Sequence, residues 1–215
     1  MKIKLKNIKN ILKFKNDDYK YLSPCVFKTN NSYQLLYSNR KSKIKFTGQI
    51  ESAKSLNLTK WITTSKPHLI PNKKTKYVSY VSPNIGTIDN KKILFIEAQY
   101  SNYHSDIICF YFVKKKWVLY PRFKLKNNKD NFQSPFFINY KDKNLLFYSK
   151  NGKYIECMEL NKNLKIKNKK ICLKSEYNNE KFSIYAPSII IINNKLHMFY
   201  AAWKSRFEGN INYAY

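Results

Sequence analysis

Four stretches of this chain align without a gap over sixteen residues, and each is led by a small residue and a proline. They run from Ser23-Pro24-Cys25-Val26 to Leu35-Leu36-Tyr37-Ser38, from Ser82-Pro83-Asn84-Ile85 to Phe95-Ile96-Glu97, from Ser134-Pro135-Phe136-Phe137 to Phe147-Tyr148-Ser149, and from Ala186-Pro187-Ser188-Ile189 to Phe199-Tyr200-Ala201. Successive starts are 59, 52 and 52 residues apart. A period near fifty residues means that one supersecondary unit is repeated, and that each unit buries its apolar surface against the next.

Each unit reads as a hairpin of two buried strands. The proline is expected to open the first strand, where its missing N–H costs least. The turns are Asn30-Asn31-Ser32, Asp89-Asn90-Lys91, Lys141-Asp142-Lys143 and Asn193-Asn194. Asparagine and aspartate tolerate the positive φ of tight hairpins, so a chain with 4 glycines can still make them. Third strands are expected at 44–50, 106–113, 154–160 and 210–215, and outer strands at 60–63, 116–120 and 170–173. Trp61 and Trp117 fall in the first two outer strands. Four strands per unit is a propeller blade; no stretch holds a helical period over three turns.

The reading is therefore an all-β chain: one propeller domain over 1–215, with about four blades at 21–65, 78–121, 132–174 and 184–215. The last unit stops in its third strand. Short strands at Ile3–Leu5 and Ile11–Phe14 are candidates to close the ring. Otherwise an open edge calls for a partner or for self-association.

Composition narrows the setting. There are 41 lysines and arginines against 13 acids, a formal charge of +28, and only Arg40, Arg122 and Arg206 are arginine. The lysines are spread over turns and outer strands, with no block longer than Lys114–Lys116. They read as a solvated surface, not as a nucleic-acid stripe with interleaved aromatics. Cys25, Cys109, Cys157 and Cys172 form no Cys-x-x-Cys pair and read as small apolar residues. His68, His104 and His197 lack metal-ligand spacing, so no metal and no cofactor is expected. The lysine-broken start does not read as a secretory signal, and Ile189–Ile192 is too short to span a membrane. The expectation is a cytoplasmic protein with no membrane and no specific nucleic-acid partner.

At its repeat starts the chain resembles the five-bladed propeller glycosidases, the superfamily of glycoside hydrolase families 43 and 32 and the levansucrases. Tyr185-Ala186-Pro187 with Met198-Phe199-Tyr200 is similar to that family's fourth blade, and Ser134-Pro135-Phe136-Phe137 to its third. Ser55-Leu56-Asn57-Leu58-Thr59-Lys60-Trp61 is similar to an outer turn common there. The resemblance implies a carbohydrate ligand and a pair of carboxylates, one to protonate the leaving oxygen and one to activate water or attack carbon. The positions matching the family's base, acid-tuning and acid carboxylates are Ser23, Ser134 and Tyr185, none of them acidic. The resemblance thus implies a divergent, truncated relative whose hydrolytic chemistry is absent or relocated.

Residues flanking the repeat starts are expected to face the propeller axis: Tyr21, Ser23, Tyr80, Ser82, Gln133, Ser134, Tyr185 and Ser188. Hydroxyl, amide and aromatic groups suit sugar rings, and strand-end capping is the plainer reading. Glu97 stands where the other blades have Ser38, Ser149 and Ala201. It is either a functional carboxylate or the structural partner of Arg40 or a lysine. Asp106 and Glu208 are the other acid candidates, each more often read as a turn residue. Arg40 offers a fork for carboxylate or phosphate, and Trp203 an aromatic face. The functional readings are a carbohydrate-binding or carbohydrate-processing propeller with altered chemistry, a basic binding or scaffold module for anionic polymers or protein partners, or the remnant of a longer glycoside hydrolase.

Overall fold

The computed structural model describes residues 19–41, 47–64, 66–72, 74–114 and 116–215, with 19–21 as backbone only. The expected strands at Ile3–Leu5 and Ile11–Phe14 lie outside the described residues. Fifteen strands form four antiparallel meanders. The first sheet contains β1 (Tyr19–Lys28), β2 (Tyr33–Lys41), β3 (Gln49–Ser55) and β4 (Ile62–Thr63). The second contains β5 (Ser79–Ile88), β6 (Lys91–Gln99), β7 (Ser105–Val113) and β8 (Lys116–Leu125). The third contains β9 (Phe132–Tyr140), β10 (Lys143–Lys150), β11 (Tyr154–Leu160) and β12 (Ile166–Lys174). The fourth contains β13 (Ser183–Ile192), β14 (Lys195–Trp203) and β15 (Gly209–Ala214). β5 packs against β1 and β9, and β9 against β13, so the first strand of each sheet is the innermost. This is a β-propeller of four blades.

The core lies between blades, as a propeller requires. Leu36 and Ile50 meet Tyr80, Leu94 and Ile108 across the first interface. Phe95, Ile107 and Cys109 meet Phe137, Tyr148 and Met158 across the second. Phe147, Ile155 and Cys157 meet Ile184, Ile189 and Tyr200 across the third. Gly86 allows close approach at the second interface, since a Cβ there would lie 2.0 Å from Cδ1 of Phe137.

The prolines do not open the strands. Pro24, Pro83, Pro135 and Pro187 sit within the inner strands, each just after a residue with positive φ: Ser23 at 51°, Ser82 at 51°, Ser134 at 51° and Ala186 at 53°. The ladder slips there, between Leu22 and Cys25, Val81 and Asn84, and Tyr185 and Ser188, and opposite Phe147–Ser149 in the third blade. A bulge suspends pairing where the proline has no N–H to offer, so the strand continues past it. Non-glycine residues with positive φ cost roughly 1–3 kcal/mol and persist only when their surroundings fix them.

Three of the four hairpin turns adopt the expected positive φ, and the first, at Asn30-Asn31-Ser32, does not. Asp89 and Asn90 have φ of 50° and 59°, Lys141 and Asp142 of 46° and 59°, and Asn193 and Asn194 of 48° and 57°. Paired positive φ values match the twist of the strands they join. In the first blade the third strand is Gln49–Ser55, later than expected, and the outer strand is reduced to Ile62–Thr63. Trp61 lies just before it and packs on Leu35, Tyr37 and Ala53. The outer strands β8 and β12 run longer than their sequence patterns suggested.

Candidate functional site

The bulges lie on the innermost strands, and in the first three blades a residue near the end of the second strand reaches across to the bulge region of the next blade. Ser38 Oγ accepts from Ser82 N at 2.9 Å. Glu97 Oε2 accepts from Ser134 N at 3.0 Å. Ser149 Oγ donates to the Ile184 carbonyl at 2.7 Å. One side-chain oxygen per interface thus ties a blade to the bulge region beside it. Glu97 holds the same latch position as the two serines, with one oxygen to spare.

That second oxygen, Oε1, accepts from Gln99 Nε2 at 2.7 Å, and the Ser82 hydroxyl bonds the same carboxylate. Ser82 Oγ in turn lies 3.4 Å from Ser23 Oγ. Ser23, Ser82, Glu97 and Ser134 therefore form one continuous polar chain over three blades. Glu97 is buried, with 4% of its surface exposed. Burial pushes its carboxyl above the usual range, against the opposing pull of the Ser134 and Gln99 hydrogen bonds and the Arg40 charge. Arg40 acts through its field; the direct partners of Glu97 are Ser134, Gln99 and Ser82.

The fourth blade adds aromatics. The rings of Tyr185 and Trp203 stack at 6.3 Å with 16° between planes. A Cβ on Gly209 would lie 2.8 Å from the Trp203 ring, so the Gly209 backbone presses on the indole. Trp203 is thus held between the Gly209 backbone and the Tyr185 ring, and both aromatics are half-buried. Burial raises the Tyr185 phenol, and the Glu97 charge adds to that rise while a Trp203 hydrogen bond opposes it.

Other candidates sit elsewhere. Tyr80 is 2% exposed and belongs to the core between the first two blades, because strand alternation turns it away from the axis. The Tyr21 side chain is outside the described residues; its backbone pairs with Asn39. Gln133 is half-buried just before the third bulge, and Ser188 is exposed just after the fourth. Glu208 closes the β14–β15 turn and pairs with Lys204 at 3.4 Å in solvent. Asp106 is no turn residue: it is 1% exposed, and Oδ2 accepts from the Tyr77 hydroxyl at 2.7 Å and the Tyr100 hydroxyl at 2.8 Å. Lys124 Nζ lies 3.6 Å from Oδ2, and His104 Nε2 lies 3.7 Å from Oδ1.

Asp106 belongs to a pattern the sequence did not announce. In three blades a tyrosine of the second strand donates to a carboxylate: Tyr37 to Glu51 at 3.1 Å, Tyr148 to Glu156 at 2.7 Å and Tyr200 to Glu180 at 2.7 Å. The second blade has Ile96 at that position, and Tyr77 and Tyr100 serve Asp106 instead. Phenol donors and nearby lysines let these acids be buried without an unpaired charge. Four of the acids are thereby spoken for structurally, which singles out Glu97 at the axis. Among the described residues no three His, Cys, Asp or Glu side chains group to hold a metal, and no helix is long and apolar enough to cross a membrane.

No family model and no curated protein matches the chain. Solved structures do. A thermostable family-43 glycoside hydrolase superposes with a TM-score of 0.70 at 19% identity, covering 91% of this chain and 68% of its own. An alpha-L-arabinofuranosidase from Lactobacillus brevis gives 0.70 at 13%, covering 90% and 66%. An endo-arabinase from Bacteroides thetaiotaomicron gives 0.66 at 14%, covering 89% and 74%. The fold is that of the family-43 propeller glycosidases, and the chain spans about two-thirds of the length of the first two.

Proposed function

We propose that this propeller binds a carbohydrate at its axial end and does not hydrolyse it by the two-carboxylate route. The observation that carries the reading is the polar chain Ser23–Ser82–Glu97–Ser134, flanked by Arg40 and by the stacked rings of Tyr185 and Trp203. Hydroxyls and an amide-held carboxylate match the hydroxyls of a sugar, and an aromatic face matches its C–H face. The likeness to an arabinofuranosidase and an endo-arabinase supports a sugar ligand of that kind. The likeness to an exo-beta-1,3-galactanase from Phanerochaete chrysosporium (TM-score 0.64, 10% identity, covering 90% of this chain and 48% of its own) extends the choice of probes to galactans.

The chemistry argues against cleavage. Glycoside hydrolysis in its usual form needs an acid and a second carboxylate about 5–10 Å apart. Among the described residues, the groups that hydrogen-bond the Glu97 oxygens at 2.7 and 3.0 Å are Gln99 Nε2 and Ser134 N, and neither is an acid. Ser23, Ser134 and Tyr185, which match the family's carboxylates, cannot do that work near neutral pH. In this reading Glu97 fixes the third bulge and accepts from a ligand hydroxyl.

Arabinan- and galactan-derived oligosaccharides are the probes, with calorimetric titration for binding and a reducing-end assay for turnover. Binding without new reducing ends is expected, with Tyr185→Ala weakening affinity about tenfold, or ~1.4 kcal/mol. Release of reducing ends that Glu97→Gln abolishes would refute the non-hydrolytic reading. Undiminished affinity in Tyr185→Ala would refute the site.

A further inference from the structure

Away from the axis, the third blade brings together two thiols that the sequence keeps fifteen residues apart. Cys157 lies on β11 and Cys172 on β12, and the two strands pair in antiparallel. Cys157 is opposite Lys170 and Glu156 is opposite Ile171, but Ile155 is already opposite Leu173. Cys172 is thus the extra residue of a bulge, and a bulge re-aims the side chain it frees. Here the freed side chain packs into the same apolar cluster as Cys157, and the two open into one cavity.

The pair is also reachable. Both cysteines line one cavity of about 390 Å³, whose lining also includes Lys143, Lys169, Lys170 and Glu159; Lys143 pairs with Glu159 at 3.5 Å and Lys169 with Glu156 at 2.8 Å. Cys157 itself is 4% exposed, while Cys172 is half-exposed. Both are free thiols in the structure. A purely structural cysteine needs neither a second cysteine on the paired strand nor an opening to a shared cavity.

We propose that Cys157 and Cys172 are a redox-active pair, oxidised to a cross-strand disulfide by a small anionic disulfide of the glutathione class. Cys172 is the attacking sulfur. The neighbouring Cys157 thiol and the Lys170 charge hold its thiol below the usual range despite burial. Cys157 is held up by the Cys172 thiol and by burial. The Cys172 thiolate attacks one sulfur of the small disulfide, whose S–S bond breaks, and the departing thiolate takes up a proton. Cys157 then gives its proton to solvent, attacks the Cys172 sulfur and displaces the second small thiol. Two protein thiols are oxidised and one small disulfide is reduced to two thiols, so atoms and electrons balance. Lys170, opposite Cys157 in the ladder and in the cavity lining, would favour an anionic oxidant there.

The test uses the full chain incubated with glutathione disulfide, followed by intact mass and non-reducing peptide mapping. A peptide joining Cys157 to Cys172 is expected, with accessible thiols under denaturing conditions falling from the 4 of the reduced chain by two. Cys157→Ser should accumulate a mixed disulfide at Cys172, and Cys172→Ser should form neither product at this site. A Cys25→Ser, Cys109→Ser double variant should cross-link like the parent. A parent chain that accumulates only mixed disulfides, or no product, overturns the proposal. So does cross-linking through Cys25 or Cys109. The mapping on the parent chain decides the matter even if a variant fails to fold.

Discussion

Glu97→Gln separates latch from charge. In the parent, Oε2 holds Ser134 N at 3.0 Å and Oε1 holds Gln99 Nε2 at 2.7 Å. Glutamine keeps one carbonyl oxygen for Ser134 N, and its amide can donate to a flipped Gln99. Both bonds persist but lose their charge assistance, about 1 kcal/mol each. Against that stands the cost of burying a carboxylate. Burial is the largest influence on Glu97 and its carboxyl is raised overall, so burial outweighs the hydrogen bonds and Arg40 together. The sign follows. A carboxyl raised on folding contributes stability that is present below its unfolded value near 4.5 and is lost as pH rises through its folded value. At pH 7 the glutamine chain should therefore be as stable as the parent or more so, by on the order of 1 kcal/mol, which is about 2–4 °C in Tm for a chain of this size. The difference should shrink towards pH 4. Glu97→Ala should instead leave Ser134 N unpaired and cost about 1–3 kcal/mol. Thermal unfolding of the three proteins between pH 4 and 8 checks this. A glutamine variant that is less stable than the parent, with a deficit that widens as pH rises, would refute the balance drawn here.

Removing the Tyr148 hydroxyl with Tyr148→Phe takes a donor from the buried Glu156 and should cost about 1.5–3 kcal/mol, read as a lower Tm. Tyr37→Phe should cost less, about 0.5–1.5 kcal/mol, because Glu51 is less buried than Glu156 and water can replace the lost donor; equal losses would contradict the role given to burial. Gly86→Ala drives a methyl into the Phe137 ring and should cost about 1–3 kcal/mol in a denaturant midpoint, with the secondary structure unchanged by circular dichroism.

Strand count and blade period were legible because apolar hairpins between Asn- and Asp-rich turns leave few alternatives. The proline-led bulges were not, since a proline without its partner strand reads as an edge. Whether the ladder resumes beyond Ser23 or Ser134 is decided by the neighbouring strand. The expected third strand of the first blade, 44–50, lies partly outside the described residues; the strand seen, Gln49–Ser55, is placed by its register with β2, which the sequence alone does not show. At the axis, Glu97 stood out by comparison with Ser38, Ser149 and Ala201, but its latch role needed Ser134 on another blade. Asp106 looked like a turn acid because Tyr77 is 29 residues away from it. The Cys157–Cys172 pair had no spacing signature at all, for a bulge in β12 creates it.

The latch oxygens also bear on how the ring comes apart. Each runs forward along the chain, from a blade's second strand to the inner strand that follows. Ala201, at the fourth such position, has a methyl and no oxygen to extend. A disturbance at one bulge therefore has a polar route to its neighbours through Ser38, Glu97 and Ser149, and none through Ala201. Amide protons of Ser82 and Ser134 should exchange slowly and together, as a zip fastener holds until one tooth is drawn.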